Sequence, residues 1–201
     1  MRGHLKAAAA RELWEPEWPD ILITNQFLLP RLLETCPDIT TRAHLWRTMF
    51  CEYGTGHVDD SGPHQFRSFL SALDVGPSSC PMTLEDTPAI RAKIEKIESM
   101  EWPELLGRYL GLASIGPKVF DVLADALHQH LRIEEQHLIY FRSRARGGDR
   151  CAALLRIAES SAVADSDRRR VAESARRALE NERSYCCNWS VAVHLDGVSS
   201  M

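Results

Sequence analysis

Arg144, Gly148 and Cys151 follow Phe141 at steps of three, four and three, a spacing that sets all four on one face of a helix. If Phe141 faces a core, Arg144 is at least partly buried with it. Glu52 stands seven residues after Leu45 and three after Met49, so a helix through these positions turns its carboxylate inward as well. A buried carboxylate and a buried guanidinium each carry a desolvation cost of several kcal/mol, and each is the natural partner of the other. The expectation is an internal Arg144–Glu52 ion pair, with Arg144→Leu costing about 3–5 kcal/mol through the orphaned charge. The competing expectation is that Gly147-Gly148 breaks the helix and sends Arg144 into solvent.

Glu182 is a second candidate acid or base, because it shares a helix face with Val171, Ala175, Ala178, Tyr185 and Trp189. Burial among apolar groups is how a carboxylate is tuned for proton transfer; the alternative is that Glu182 reaches solvent. Cys151 as a nucleophile needs an activating base, and no histidine is spaced to supply one. The run HQHLRIEEQH holds His128, His130 and His137 with two glutamates. Its spacing mixes helix faces and crosses a boundary near Ile133, so a polar turn between helices is expected rather than a metal site.

The elements that position these residues read as helices. Strand alternation is scarce, whereas helix starts and stops recur. Helices are expected over residues 21–35, from Thr40 or Thr41 to Gly54, from Ser61-Gly62-Pro63 to Leu73, from Thr87-Pro88 with Ile90, Ile94 and Ile97 inward, and over 103–112, 117–131 and 134–146. A continuation after Gly147-Gly148 and a long helix over 167–193 complete the set, with a Pro-, Gly- and Ser-rich loop over 75–83. The expectation is an all-α fold: one bundle of roughly seven or eight helices over residues 21–195, an N-terminal extension over 1–20 and a tail over 196–201.

The 201 residues, 44% hydrophobic and 26% charged, suffice for one substantial core. A formal charge of −4 and a pI near 6.1 argue against a nucleic-acid binder, and Arg168-Arg169-Arg170 is balanced by Asp165, Asp167 and Glu173. No run approaches the length of a membrane span, and no signal peptide is read at the N-terminus. Cys36, Cys51, Cys80, Cys151, Cys186 and Cys187 form no CxxC or disulfide framework, which suits free thiols in a reducing cytoplasm.

Three segments resemble the haem-oxygenase-like di-iron oxidases and oxygenases, relatives of the TenA and PqqC proteins. The stretch YFRSRARGGDRC is similar to the family's last core helix, where a YF pair precedes His-x3-Asp-x2-His; those ligand positions fall on Arg144, Gly148 and Cys151. Glu52 followed by YGTG, then GPHQFRSFLSAL, is similar to its first metal helix and the later H-x3-F-x2-LL-x-AL, and puts a ligand position on Gly62 rather than His64. YLGLASIGPKVF puts the remaining one on Ser114. Glu52 alone keeps a ligand type. The resemblance spans roughly residues 40–155, and ENERSYCCNW loosely resembles the glutamate-bearing end of the thiaminase-like relatives' last helix.

What the resemblance implies is a haem-oxygenase-like bundle whose metal ligands are mostly lost, with Arg144 standing where a metal would be and neutralising Glu52. No cofactor is then expected, iron being the alternative. Exchanging large ligands for Gly62, Ser114, Gly148 and Cys151 removes volume, which a core refills or leaves as a cavity. A retained pocket with Arg144, Ser114, Cys151 and Tyr109 at its wall would take a small molecule, such as a carboxylate held by Arg144. The leading expectation is a metal-independent protein that binds and transforms such a molecule by acid–base chemistry, with Glu52, Arg144 and Glu182 as catalytic candidates. The alternatives are a non-catalytic partner or scaffold for a di-iron paralogue, and an iron oxygenase using His57, His64 or Asp149. A homodimer, or a heteromer with a di-iron paralogue, is the implied assembly.

Overall fold

A computed structural model describes residues 11–54, 57–146, 148–162 and 164–194, with side chains described outside Cys51, residues 116–118, Gly148 and residues 182–194. Local chemistry sets the helix boundaries. α1 (Trp18–Ile23) and α2 (Leu29–Glu34) are joined by a π-helical turn, Thr24–Leu28. Pro30 has no N–H to give residue 26, and its ring presses on that carbonyl; the helix widens just before it, so that Leu29 N–H reaches back to the Thr24 carbonyl. α3 (Ile39–Met49) starts at Asp38, which accepts from Thr41 N–H at 2.8 Å. A 3-10 turn, Phe50–Glu52, extends α3, and α4 (Gly62–Ser71) follows.

Thr87 caps α5 (Pro88–Glu98), and a reciprocal Glu101–Glu104 capping box opens α6 (Trp102–Ser114). α7 (Gly116–Leu131) stops where Arg132 takes a left-handed conformation with φ 60°. The expected single helix over 134–146 is instead a 3-10 turn, Glu135–His137, followed by α8 (Ile139–Ala145). The HQHLRIEEQH run is thus a polar turn: His128 Nδ1 shares a hydrogen bond with the Ile133 carbonyl at 2.8 Å, and Glu135 pairs with Arg142. α9 (Gly148–Ser161) and α10 (Asp165–His194) complete the order. The chain is an all-α bundle, with no strand among the described residues.

Two apolar clusters form the core. The first joins Leu28, Leu29 and Leu32 to Leu45 and Met49 of α3, Leu105 and Leu106 of α6, Leu154 and Ile157 of α9 and Val171 of α10. The second is aromatic: Phe69 and Phe141 meet edge to face at 4.8 Å, and Trp14 meets Phe141 at 5.4 Å, contacts worth about 0.5–1.5 kcal/mol each beyond burial. Trp14 and Trp18 are both buried in this cluster. Residues 11–20, expected to precede the bundle, are therefore part of it. Trp14 and Trp18 enter the cluster from either side of the 3-10 turn Glu15–Glu17, ahead of the boundary expected at Ile21. Among the described residues, no helix is long and apolar enough to cross a membrane.

α10 lies along α6 at small residues. A Cβ on Gly107 would stand 2.2 Å from the Val171 carbonyl oxygen, and one on Gly111 would stand 2.6 Å from that of Ala175. Ser174 Oγ donates to the Glu104 carbonyl at 2.7 Å across the same seam. Gly107→Ala must therefore push the two backbones apart. It is expected to lower unfolding stability by about 1–3 kcal/mol in chemical denaturation, whereas Gly76→Ala, with nothing within 4 Å, changes it little; equal effects would contradict close packing at this seam.

Candidate functional site

Glu52 is placed by the 3-10 turn that ends α3 and by Gly54, whose φ of +82° and 2.2 Å virtual Cβ distance to the His57 carbonyl oxygen admit only glycine. The carboxylate is 6% exposed. Arg144 Nη2 donates to its Oε2 at 2.7 Å, and Arg150 Nη1 donates to its Oε1. Both guanidiniums are largely buried, at 15% and 16% side-chain exposure. Arg144 also donates from Nη1 to the Tyr140 carbonyl at 3.3 Å and lies 3.5 Å over the Tyr140 ring, a cation–π contact. The Arg144–Glu52 pair expected from spacing is formed.

The second arginine was not expected. Arg150 lies six residues after Arg144, which on one continuous helix turns it to another face. The chain instead ends α8 at Ala145 and begins α9 at Gly148, and this interruption brings Arg150 round to the same carboxylate. The helix does end at Ala145, with the next beginning at Gly148, but Arg144 still points inward because Tyr140 and Glu52 hold it. The doubled glycine beside a second arginine was the only trace of this in the sequence.

Gly62 has a role that follows from the ion pair. A Cβ there would lie 3.0 Å from Glu52 Oε2 and 3.1 Å from Arg144 Nη2, so even alanine presses on the pair. The carboxylate thereby sits at the N-terminus of α4, where the helix dipole favours negative charge. Next to it, burial and then the Glu52 charge push the Tyr53 phenol up to about 12, while its hydroxyl donates to the Asn25 carbonyl at 3.4 Å.

A cavity of about 170 Å³ opens onto this cluster. Its walls come from both apolar clusters, with Trp14, Phe66, Phe120, Leu123 and Tyr140 on one side and Tyr109, Leu112 and Ala113 on the other. Its polar lining is Glu52, Arg144 and Arg150, Thr24 and Asn25 of the π turn, and half-buried Glu17 and Asp20; exposed Val119 also lines it. Of the residues expected at the wall, Arg144 and Tyr109 line it. Ser114 and Cys151 are not in the wall: they face each other at 3.3 Å, Ser114 Oγ bonds the Leu110 carbonyl at 2.6 Å, and Cys151 packs on the aliphatic cluster.

The remaining candidates are dispersed. His64 shares a hydrogen bond with Ser61 Oγ at 2.9 Å, and His57 and Asp149 are exposed. The side chain of Glu182 lies outside the described residues, as does that of Cys51; Cys36 and Cys80 are buried, and burial raises both thiols. Among the described residues no group of three His, Cys, Asp or Glu side chains is placed to hold a metal. The donor set at the resemblance-derived positions does not fit a di-iron centre. Its one carboxylate has both oxygens committed to guanidiniums, and Arg144, itself a cation, stands where a hard cation would need a carboxylate or imidazole.

No protein-family model matches the chain, and no curated protein matches it in sequence.

The doubled arginine changes the energetics expected of single substitutions. Arg144→Leu leaves Glu52 paired with Arg150, so its cost is expected near 1.5–3 kcal/mol, that of one charged hydrogen bond. Glu52→Leu leaves two guanidiniums facing each other and is expected to cost about 3–5 kcal/mol. Denaturant unfolding of both variants checks the ranking; an Arg144→Leu loss as large as that of Glu52→Leu would contradict the shared clamp.

Proposed function

We propose that this protein is a metal-independent bundle of haem-oxygenase-like type that binds a small organic acid in its core. The observation that carries the reading is the cavity itself, lined mainly by apolar and aromatic side chains with the Arg144 and Arg150 guanidiniums in its wall. Its about 170 Å³ compares with the roughly 150 Å³ apolar cavity known to take up benzene, so one ring or a short branched chain is the matching size. An apolar body with an anionic end meets both surfaces, since guanidiniums recognise carboxylates through paired N–H groups. A scaffold role would be favoured by a core refilled with side chains, and the open cavity weighs against that alternative.

Glu52 serves this site as a clamp rather than as a proton acceptor. Its two oxygens are engaged by the arginines, which it holds in place for a ligand. The acid–base role expected of Glu182, within the long α10, rests on a side chain outside the described residues. Ser114 and Cys151 act behind the wall, closing the contact between α6 and α9.

Benzoate and nitrobenzene test the reading, because they share shape and differ in charge. Calorimetric titration is expected to show benzoate binding at least about tenfold more tightly than nitrobenzene, with the difference shrinking in Arg144→Leu. Failure of benzoate to bind, or equal affinity for both compounds, would remove the anion-binding assignment.

A further inference from the structure

The segment from Glu17 through α1 into the π turn presents one face to the cavity. Its lining residues Glu17, Asp20, Ile21, Thr24 and Asn25 fall within about 140° of arc at about 100° per residue, with Glu17, Ile21 and Thr24 in the middle. A threonine hydroxyl in a helix ordinarily bonds back to the carbonyl three or four residues earlier. Thr35 and Thr48 do so, to the Arg31 and His44 carbonyls at 2.8 and 2.9 Å. Thr24 does not. The two carbonyls within its reach serve other donors: Asp20 and Ile21 share the Thr24 N–H, and Ile21 also takes the Asn25 side-chain amide at 3.2 Å. The hydroxyl of half-buried Thr24 makes no hydrogen bond among the described residues, and it is accessible, in contrast to the sealed Oδ1 of Asn25. On the face turned to the cavity, such a group is free to bond what the cavity takes up.

We infer that Thr24 is a specificity-determining binding residue, whose hydroxyl hydrogen-bonds an oxygen function, a hydroxyl or a carbonyl, on the molecule held in the cavity. Resting on the anion-binding reading above, the ligand class is a small hydroxy or keto acid, with its carboxylate at the arginines and its second oxygen at Thr24. The π turn fixes the position of the hydroxyl, because Leu29 N–H holds the Thr24 carbonyl. The neighbouring Asn25 carbonyl accepts from Tyr53, beside Glu52, at 3.4 Å, which ties this wall to the arginine cluster. A hydroxyl both donates and accepts, so the site favours an oxygen over a methyl group of similar size. Valine keeps the branched shape and the stiffness of threonine and lacks only the hydroxyl's chemistry.

Titration calorimetry on the intact protein compares phenol with toluene, and each monohydroxybenzoate with its monomethyl counterpart, in wild type, Thr24→Val and Thr24→Ser. The quantity read is the affinity ratio within a pair and its change between variants, which cancels the difference in transfer from water. Thr24→Val is expected to lower the phenol-to-toluene ratio about fivefold or more, and to do the same for at least one hydroxybenzoate isomer. Thr24→Ser, which keeps the hydroxyl, is expected to hold the ratio near its wild-type value. Thr24→Val is also expected to keep the wild-type unfolding midpoint in denaturant, because the hydroxyl has no partner in the chain to lose; a Thr24→Val protein that unfolds would make the hydroxyl structural and overturn the assignment. An unchanged ratio in Thr24→Val, a ratio in Thr24→Ser that falls as far as in Thr24→Val, or no uptake of phenol by wild type at millimolar concentration would overturn it as well. The phenol pair carries no carboxylate, so it reads Thr24 even if benzoate does not bind; failure of benzoate alone removes only the acid end of the ligand class.

Discussion

A single buried carboxylate held between two guanidiniums is the constraint around which this bundle is arranged. Removing charges from water is expensive, and the cost is met only when partners and geometry are supplied together. Glu52 comes from the turn after α3, Arg144 from α8 and Arg150 from α9, so three segments distant in sequence must converge before the charges are compensated. Hydrophobic clusters on either side supply the driving force, and the ion cluster sets how the segments meet.

Several local oddities become one design when read from that cluster. Gly54 is needed for the positive-φ turn that returns the chain towards α4, and Gly62 is needed because the ion pair lies where its Cβ would be. The interruption between Ala145 and Gly148 re-aims Arg150. Tyr53 links Glu52's turn to the π segment, where Asn25 lines the same cavity. The two apolar clusters do not close over this region, and the cavity, with residues of both clusters and the ion cluster in its lining, is what remains.

Much of the helix pattern was legible in the sequence. Caps such as Asp38 and Thr87, prolines in first turns and the 3.6-residue apolar period act locally, and local physics is written in short windows. The Arg144–Glu52 pair was legible for a related reason, since each charge stood in an apolar stripe and each required a partner. Arg150 was not, because its direction depends on a break whose angle no spacing records. Trp14 and Trp18 were hidden by their surroundings, a Pro- and Glu-rich stretch that reads as a tail until Phe66, Phe69 and Phe141 are placed beside it. The π turn had a sign in Pro30, a proline inside a helical run. The cavity had none, because empty volume depends on how both clusters pack. Ser114 and Cys151 were expected at the wall from a pattern of positions, yet the pair satisfies itself between α6 and α9.

The central claim is that the carboxylate at the heart of the bundle is committed to arginines and closed to metal. Metal analysis of the purified protein after anaerobic incubation with ferrous iron, followed by removal of unbound metal, tests it most directly. The account predicts iron far below one equivalent per chain, in wild type and in Glu52→Gln alike. Stoichiometric iron in wild type that is lost in Glu52→Gln would contradict it, because Glu52 would then be a ligand and not the clamp of two guanidiniums.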